Sequence, residues 1–216
     1  MQLTFIGHAC FLAESSTGLR VLMDPYQPYA FGGRMGLRPF TDKVDVVVST
    51  HAHLDHYHVD PTFGDPDVVT EPGHVRGITF AGLHLPHDHR EGAERGWVTG
   101  FRFELDGIAI FHPGDLGRPL KDDERARLGR VDVLLVPCGG TFTMGAEQAA
   151  AMVAQVRPAI AIPMHYAWPT VQLPLRPLSD FLECVPSHRF VATQPLELSR
   201  DALPPPTEVL VLDPTH

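Results

Sequence analysis

A chain of 216 residues with 44% hydrophobic and 20% charged content suits one sizeable globular domain or two small ones. Its net charge of -9 argues against a nucleic-acid backbone as substrate, and its apolar runs are too short to cross a bilayer. Cys10, Cys138 and Cys184 are odd in number and far apart, and residues 1–5 lack the basic start and long apolar segment of a signal peptide. Reduced, packed thiols and a cytoplasmic location are the expectation.

Residues 3–6 open as a strand that ends at Gly7-His8-Ala9-Cys10, residues 11–14 read as a second, and residues 20–23 as a third, ended by Asp24-Pro25. Ser15-Ser16-Thr17-Gly18 supplies a hairpin-type turn, so the early sheet is antiparallel. Residues 26–41 are rich in Gly, Pro and aromatics without a period, and a loop of that length in a compact domain is usually functional. The β-branched run 44–48 is a buried strand, and Ser49-Thr50-His51-Ala52-His53-Leu54-Asp55-His56 follows it at once.

Further on, residues 68–70 and 77–80 are strands about Glu71-Pro72-Gly73, and residues 83–86 lead into a polar loop over 87–92. Residues 101–105 alternate as a half-buried strand, Asp106-Gly107 is a hairpin turn, and residues 108–111 return to His112-Pro113-Gly114-Asp115. The pattern predicts a short charged helix over 121–130, a buried strand over 131–136, and a helix over 147–156 capped by Thr143 and stopped by Arg157-Pro158. A strand over 159–162 ends at Pro163-Met164-His165-Tyr166. A helical turn over 179–184, a Pro204-Pro205-Pro206 linker and an added strand over 208–212 complete the chain. With no convincing linker before residue 200, residues 1–216 read as one domain. Hairpins first and helix–strand alternation later predict a two-sheet core flanked by helices.

The histidine-rich stretch carries the chemistry. On an extended backbone His51 and His53 point to one side and can share a metal, while Asp55 and His56, where the strand must turn, can face a second. Imidazoles with a carboxylate suit zinc, iron or manganese. His87, Asp115 and His165 also stand just past the ends of apolar strands, the edge where ligands bind in open α/β sheets. Six or seven side chains converging there would make a two-metal site, which lowers the pKa of bound water to about 7.

His51-x-His53-x-Asp55-His56, a later His87, Asp115 in a Gly-Asp turn and His165 in Ile-Pro-Met-His together resemble the metallo-β-lactamase-fold hydrolases. Ile6-Gly7-His8-Ala9, Met23-Asp24-Pro25, Gly114-Asp115, Thr141-Phe142-Thr143-Met144 and Ile162-Pro163-Met164-His165-Tyr166 are more similar to the branch of L-ascorbate-6-phosphate lactonase-like proteins. The resemblance spans residues 1 to about 170 and implies an α/β protein, an αββα four-layer sandwich with metals at the sheet edge. It assigns His51, His53 and His87 to one metal, Asp55, His56 and His165 to the other, and Asp115 to both. The loop His87-Asp88-His89-Arg90-Glu91-Gly92 departs from the lactonases and continues to Arg95-Gly96, which resembles a less characterised subgroup. The lactonase's substrate is therefore not carried over. His89 could replace His87 as ligand; the place of His87 after Pro86 favours His87.

Other positions have two readings each. His8 reaches the site as an acid or substrate contact, or holds a ligand. Asp24 orients a ligand histidine or forms a turn. His112 reads as a core or supporting histidine. The 141–144 loop lines the substrate pocket or caps the helix, and Tyr26, Tyr29, Phe31 and Phe40 form a lid or pack their loop down.

The expectation is a metal-dependent hydrolase in which Asp55 orients a metal-bridging hydroxide and His8 assists. It needs two divalent ions, zinc first, with manganese and iron as alternatives. The substrate is a small ester, lactone or phosphodiester. Neither nucleic acid nor membrane is a partner, and a homo-oligomer is allowed. The alternatives are a nucleic-acid phosphodiesterase of the same fold and a metal-binding sensor without turnover.

Overall fold

The computed structural model describes residues 1–216. In chain order its strands are β1 (Gln2–Gly7), β2 (Cys10–Glu14), β3 (Arg20–Met23), β4 (Val46–Val48), β5 (Asp67–Val69), β6 (Gly73–Val75), β7 (Ile78–Pro86), β8 (Trp97–Leu105) and β9 (Ile108–His112). Then come α1 (Asp122–Leu128), β10 (Val133–Pro137), α2 (Ala146–Val156), β11 (Ile160–Met164), α3 (Leu178–Cys184), β12 (Arg189–Val191), β13 (Leu196–Glu197) and β14 (Glu208–Leu212). One sheet has the order β13-β1-β2-β3-β4-β5 and the other β12-β14-β11-β10-β9-β8-β7-β6.

The period-two alternation of the first sheet divides its residues between two apolar layers. Val21, Met23, Val46 and Val48 face the second sheet within the main core, while Leu22 and Val47 face outward. That outer face is covered by Tyr26, Ala30, Met35, Leu37 and Phe40 of the long loop and by Phe63 of a 3-10 turn at Pro61–Phe63; no residue of α1, α2 or α3 contributes. Helical cover is given to the second sheet, where Ala149, Met152, Val153 and Val156 of α2 and Phe181 of α3 join the main core. The architecture is the αββα sandwich with its first outer layer made of loop.

Strand direction positions the site. β1 and β3 are each antiparallel to β2, so they run the same way, and β4 is parallel to β3. β7 and β9 are likewise each antiparallel to β8, while β10 is parallel to both β9 and β11. The C-terminal ends of β1, β3 and β4 thus share an edge, as do those of β7, β9 and β11. Asp106-Gly107 makes the expected two-residue hairpin, both residues having positive φ (51° and 74°).

Several details differ from the sequence reading. The cap of α2 is Gly145, whose N–H donates to the Gln148 side chain at 3.3 Å, and the Thr143 hydroxyl turns instead to the Met144 carbonyl. Cys10 and Cys138 are buried thiols, but Cys184 is exposed. The 208–212 strand inserts between β11 and β12, parallel to both. No helix is long and apolar enough to cross a membrane.

Candidate metal centre

The side chains that converge come from six strand ends. His8 follows β1, Asp24 follows β3, His51 to His56 follow β4, His87 follows β7, Asp115 follows β9 and His165 follows β11. The 49–56 segment is not extended: β4 ends at Val48, and the chain bends through residues 50–53 and turns through 54–56. The backbone N–H groups of His56 and Tyr57 both donate to the His53 carbonyl, at 3.0 and 2.9 Å, and the Ser49 hydroxyl contacts the carbonyls of His51 (3.0 Å) and His56 (2.9 Å). His51 and His53 therefore meet through a bend, not through strand alternation. They present different atoms, His51 Nε2 and His53 Nδ1, 2.9 Å apart, with His87 Nε2 3.3 Å from that Nδ1.

Behind this cluster lies a second, made of His8, Asp55, His56 and His165, all buried. Asp115 stands between the two. Its Oδ1 is 3.1 Å from His56 Nε2, and its Oδ2 is 3.2 Å from His165 Nε2 and 3.5 Å from His87 Nε2. His89 is exposed and outside both clusters, whereas His87 is buried in the first.

Outer partners select the nitrogens that face inward. Asp24, fully buried, accepts the Thr50 N–H at Oδ1 (2.8 Å) and both the Thr50 hydroxyl (2.7 Å) and His56 Nδ1–H (2.8 Å) at Oδ2. With its proton given to Asp24, the Thr50 hydroxyl oxygen accepts from His51 Nδ1 at 3.0 Å. His87 Nδ1 donates to the Phe142 carbonyl at 3.1 Å. Each bond places the proton on Nδ1 and leaves the Nε2 lone pair of His51, His56 and His87 pointing into the site. Asp24 thus takes the orienting role of its two readings. His112 is a buried core histidine bonded to the Ala9 carbonyl at 2.8 Å. His8 lies behind Asp55, with Nε2 3.1 Å from Asp55 Oδ2.

A cation fits this donor set. His56 Nε2, Asp115 Oδ1 and His165 Nε2 are buried and have no hydrogen-bond partner, although they face one another at close range. Lone pairs aimed at a common point repel unless a cation lies between them, and imidazole with carboxylate suits zinc, manganese or iron. Protonation agrees. Burial, aided by His56, holds His51 down at about 3, and burial with His87 also lowers His53. Burial opposes ionisation of Asp55 and Asp115, yet the neighbouring imidazoles hold both carboxyls below the usual range: His56 and His8 act on Asp55, His165 and His56 on Asp115. Burial would lower His56 as well, but Asp115 and Asp55 outweigh it and raise it well above its ordinary value. The carboxylates around His56 thus favour positive charge at this point, the place a bound cation would take.

The centre opens into a cleft of about 390 Å³. His53, Asp55, His87 and Asp115 form its floor, and Phe31, Arg34, Leu54, Arg95, Phe142 and Leu173 are among its walls. Of the loop aromatics, Tyr26 and Phe40 are buried packing, Phe31 reaches the cleft, and Tyr29 is exposed. Phe142 reaches the wall from the 141–144 loop, the pocket-lining one of that loop's two readings, whereas Arg34 and Asp88 have no role assigned from sequence. Their spacing holds no signal, since loop geometry alone brings them to the site.

Residues 2–165 match the family model of the beta-lactamase superfamily domain, so fold and centre define a metal-dependent hydrolase of the metallo-β-lactamase superfamily. A UPF0173 metal-dependent hydrolase of Methanoculleus marisnigri is 31% identical over 225 residues, covering 91% of this chain and 95% of the relative. A crystal structure from Thermotoga maritima, assigned to the Zn-dependent hydrolases of this superfamily, superposes with a TM-score of 0.77 at 31% identity, covering 98% of this chain and 99% of that one. Igni18, a metallo hydrolase of Ignicoccus hospitalis, superposes with a TM-score of 0.56 at 25% identity, covering 80% and 85%. The chain belongs to the UPF0173 metal-dependent hydrolases. The lactonase branch stays a resemblance, as these relatives carry another name.

Proposed function

We propose that the chain hydrolyses a small ester, lactone or phosphodiester at a two-cation centre. His51, His53 and His87 would hold one ion, Asp55, His56 and His165 the other, and Asp115 both. Zinc is the first candidate, with manganese and iron as alternatives that this donor set also suits. When bound, such ions make water acidic enough to attack at neutral pH and polarise the oxygen under attack. The carrying observation is the opposed, unpartnered lone pairs of His56, Asp115 and His165 at the base of an open cleft.

The residues' own parts follow from their placement. Asp55 lines the cleft as a carboxylate and can orient the attacking water. His8 is buried, absent from the cleft wall and held down at about 4, by burial and then by His165. It acts by holding Asp55 and does not touch substrate. Thr50 and Asp24 keep the imidazoles in one tautomer.

Elemental analysis of the purified chain, with turnover assays on 4-nitrophenyl esters, lactones and bis-4-nitrophenyl phosphate, tests the reading. We expect bound metal and turnover of at least one class. The double substitution His51→Ala with His53→Ala should lose both metal and activity while circular dichroism is retained. If that variant keeps its full metal content, the ligand assignment fails. Metal without turnover on any class would favour the non-catalytic metal-binding protein.

A further inference from the structure

We propose that the substrate carries an anionic oxygen group, a carboxylate or a phosphate, set apart from the cleaved bond, and that Arg34 and Arg95 grip it. This rests on the hydrolase reading and names its substrate class. Arg34 stands on the loop covering the first sheet, and Arg95 on the turn between β7 and β8 of the second. Both line the cleft whose floor is the metal centre.

Each guanidinium is steadied without being neutralised. Arg34 Nε donates to the Phe31 carbonyl at 3.0 Å, which leaves its two Nη groups free of protein acceptors. Arg95 stacks over the Phe142 ring, 4.6 Å from the centroid, and its backbone N–H donates to Asp88 Oδ2 at 2.8 Å. Neighbouring arginines are paired: Arg90 with Glu94, and Arg118 with Glu91 and Glu124. Arg34 and Arg95 form no ion pair, in a chain whose net charge is -9.

Free guanidinium forks facing a half-enclosed cleft are suited to bidentate capture of carboxylate or phosphate. Leu54, Phe142 and Leu173 supply apolar wall, so the part of the substrate linking the anion to the reacting bond is apolar. Because the arginines come from loops over different sheets, the anion would fix the substrate across the cleft.

The test compares kcat/KM of the zinc-loaded chain on three esters of matched length. These are neutral 4-nitrophenyl pentanoate, mono-4-nitrophenyl glutarate and the 4-nitrophenyl ester of 4-phosphonobutyrate. An anionic ester should be preferred by about tenfold or more, through KM, as charge-assisted pairs allow. R34Q/R95Q should abolish that preference and R34K/R95K keep part of it, with zinc content and melting temperature reporting the fold. The two anionic arms tell carboxylate from phosphate. Equal use of all three esters, or a preference that survives R34Q/R95Q, overturns the proposal. If no ester is turned over, the ester option of the hydrolase reading fails separately, and calorimetry with glutarate and with benzylphosphonate still decides. Binding abolished by R34Q/R95Q supports the arginine site; binding unaffected by it, or none to either chain, overturns it.

Discussion

Asp24 Oδ2 accepts the Nδ1 proton of His56 at 2.8 Å, and through the Thr50 hydroxyl the same oxygen also governs His51. One buried carboxylate therefore orients an imidazole in each of the two clusters. Burial alone would raise the Asp24 carboxyl, but His112 and His56 hold it below its usual value. Its backbone is left-handed (φ 42°), a conformation Asp tolerates better than most residues. Asp24→Asn keeps the shape and removes the charge. We expect metal affinity to fall by about 10–100-fold, the usual cost of losing such a partner. Competition with a chromogenic chelator measures it; unchanged affinity would remove Asp24 from the centre.

Asp88 performs a similar service for the cleft wall. Its side chain accepts the backbone N–H groups of Arg90, Gly92, Glu94 and Arg95 at 2.8–3.1 Å and so shapes the turn that carries Arg95. Burial favours its neutral form, yet these four donors lower its pKa overall. A carboxyl lower in the folded chain than in the unfolded one stabilises fully above the unfolded value of about 4 and loses this as pH falls through the folded value. Acid should therefore loosen the 87–96 turn. Asp88→Asn should cost about 1–3 kcal/mol at neutral pH. Urea titration at pH 7 and pH 3, followed by tryptophan fluorescence, checks both: the difference between wild type and variant should shrink at pH 3.

Gly114 lets Asp115 reach the centre. Its φ is +60°, and a Cβ there would press into the Thr50 hydroxyl that Asp24 binds. Gly114→Ala should destabilise the fold by about 1–2 kcal/mol through backbone strain alone. It should also weaken metal binding, since Thr50 must move. Thermal melts with and without added zinc separate the effects: the zinc-dependent gain in melting temperature should shrink. An alanine variant with wild-type stability and zinc response would refute this.

Much of the frame was legible in the chain. Runs such as Val133–Pro137 are apolar because parallel strands are buried on both faces, and that pattern survives in a single sequence. The short edge strands β6, β12 and β13 are mostly exposed and carry no such pattern, so they escaped notice. Thr143 looked like a helix cap because Thr is a good cap, but the chain starts α2 two residues later, where Gln148 reaches back.

By itself the sequence determined which residue types stand at strand ends. His51, His53, Asp55, His56, His87, Asp115 and His165 follow apolar runs, and side chains of that chemistry at that edge point to metal. Only the tertiary structure decided which atoms face inward, because that depends on the proton each imidazole gives to Asp24, Thr50 or Phe142. It also decided that His8 backs Asp55 and that Arg34 and Arg95 share one cleft. These residues lie tens of positions apart on loops without periodicity. Sequence patterns record burial, which is local to a strand or helix, whereas the wall of a cleft is set by how two sheets and their loops meet.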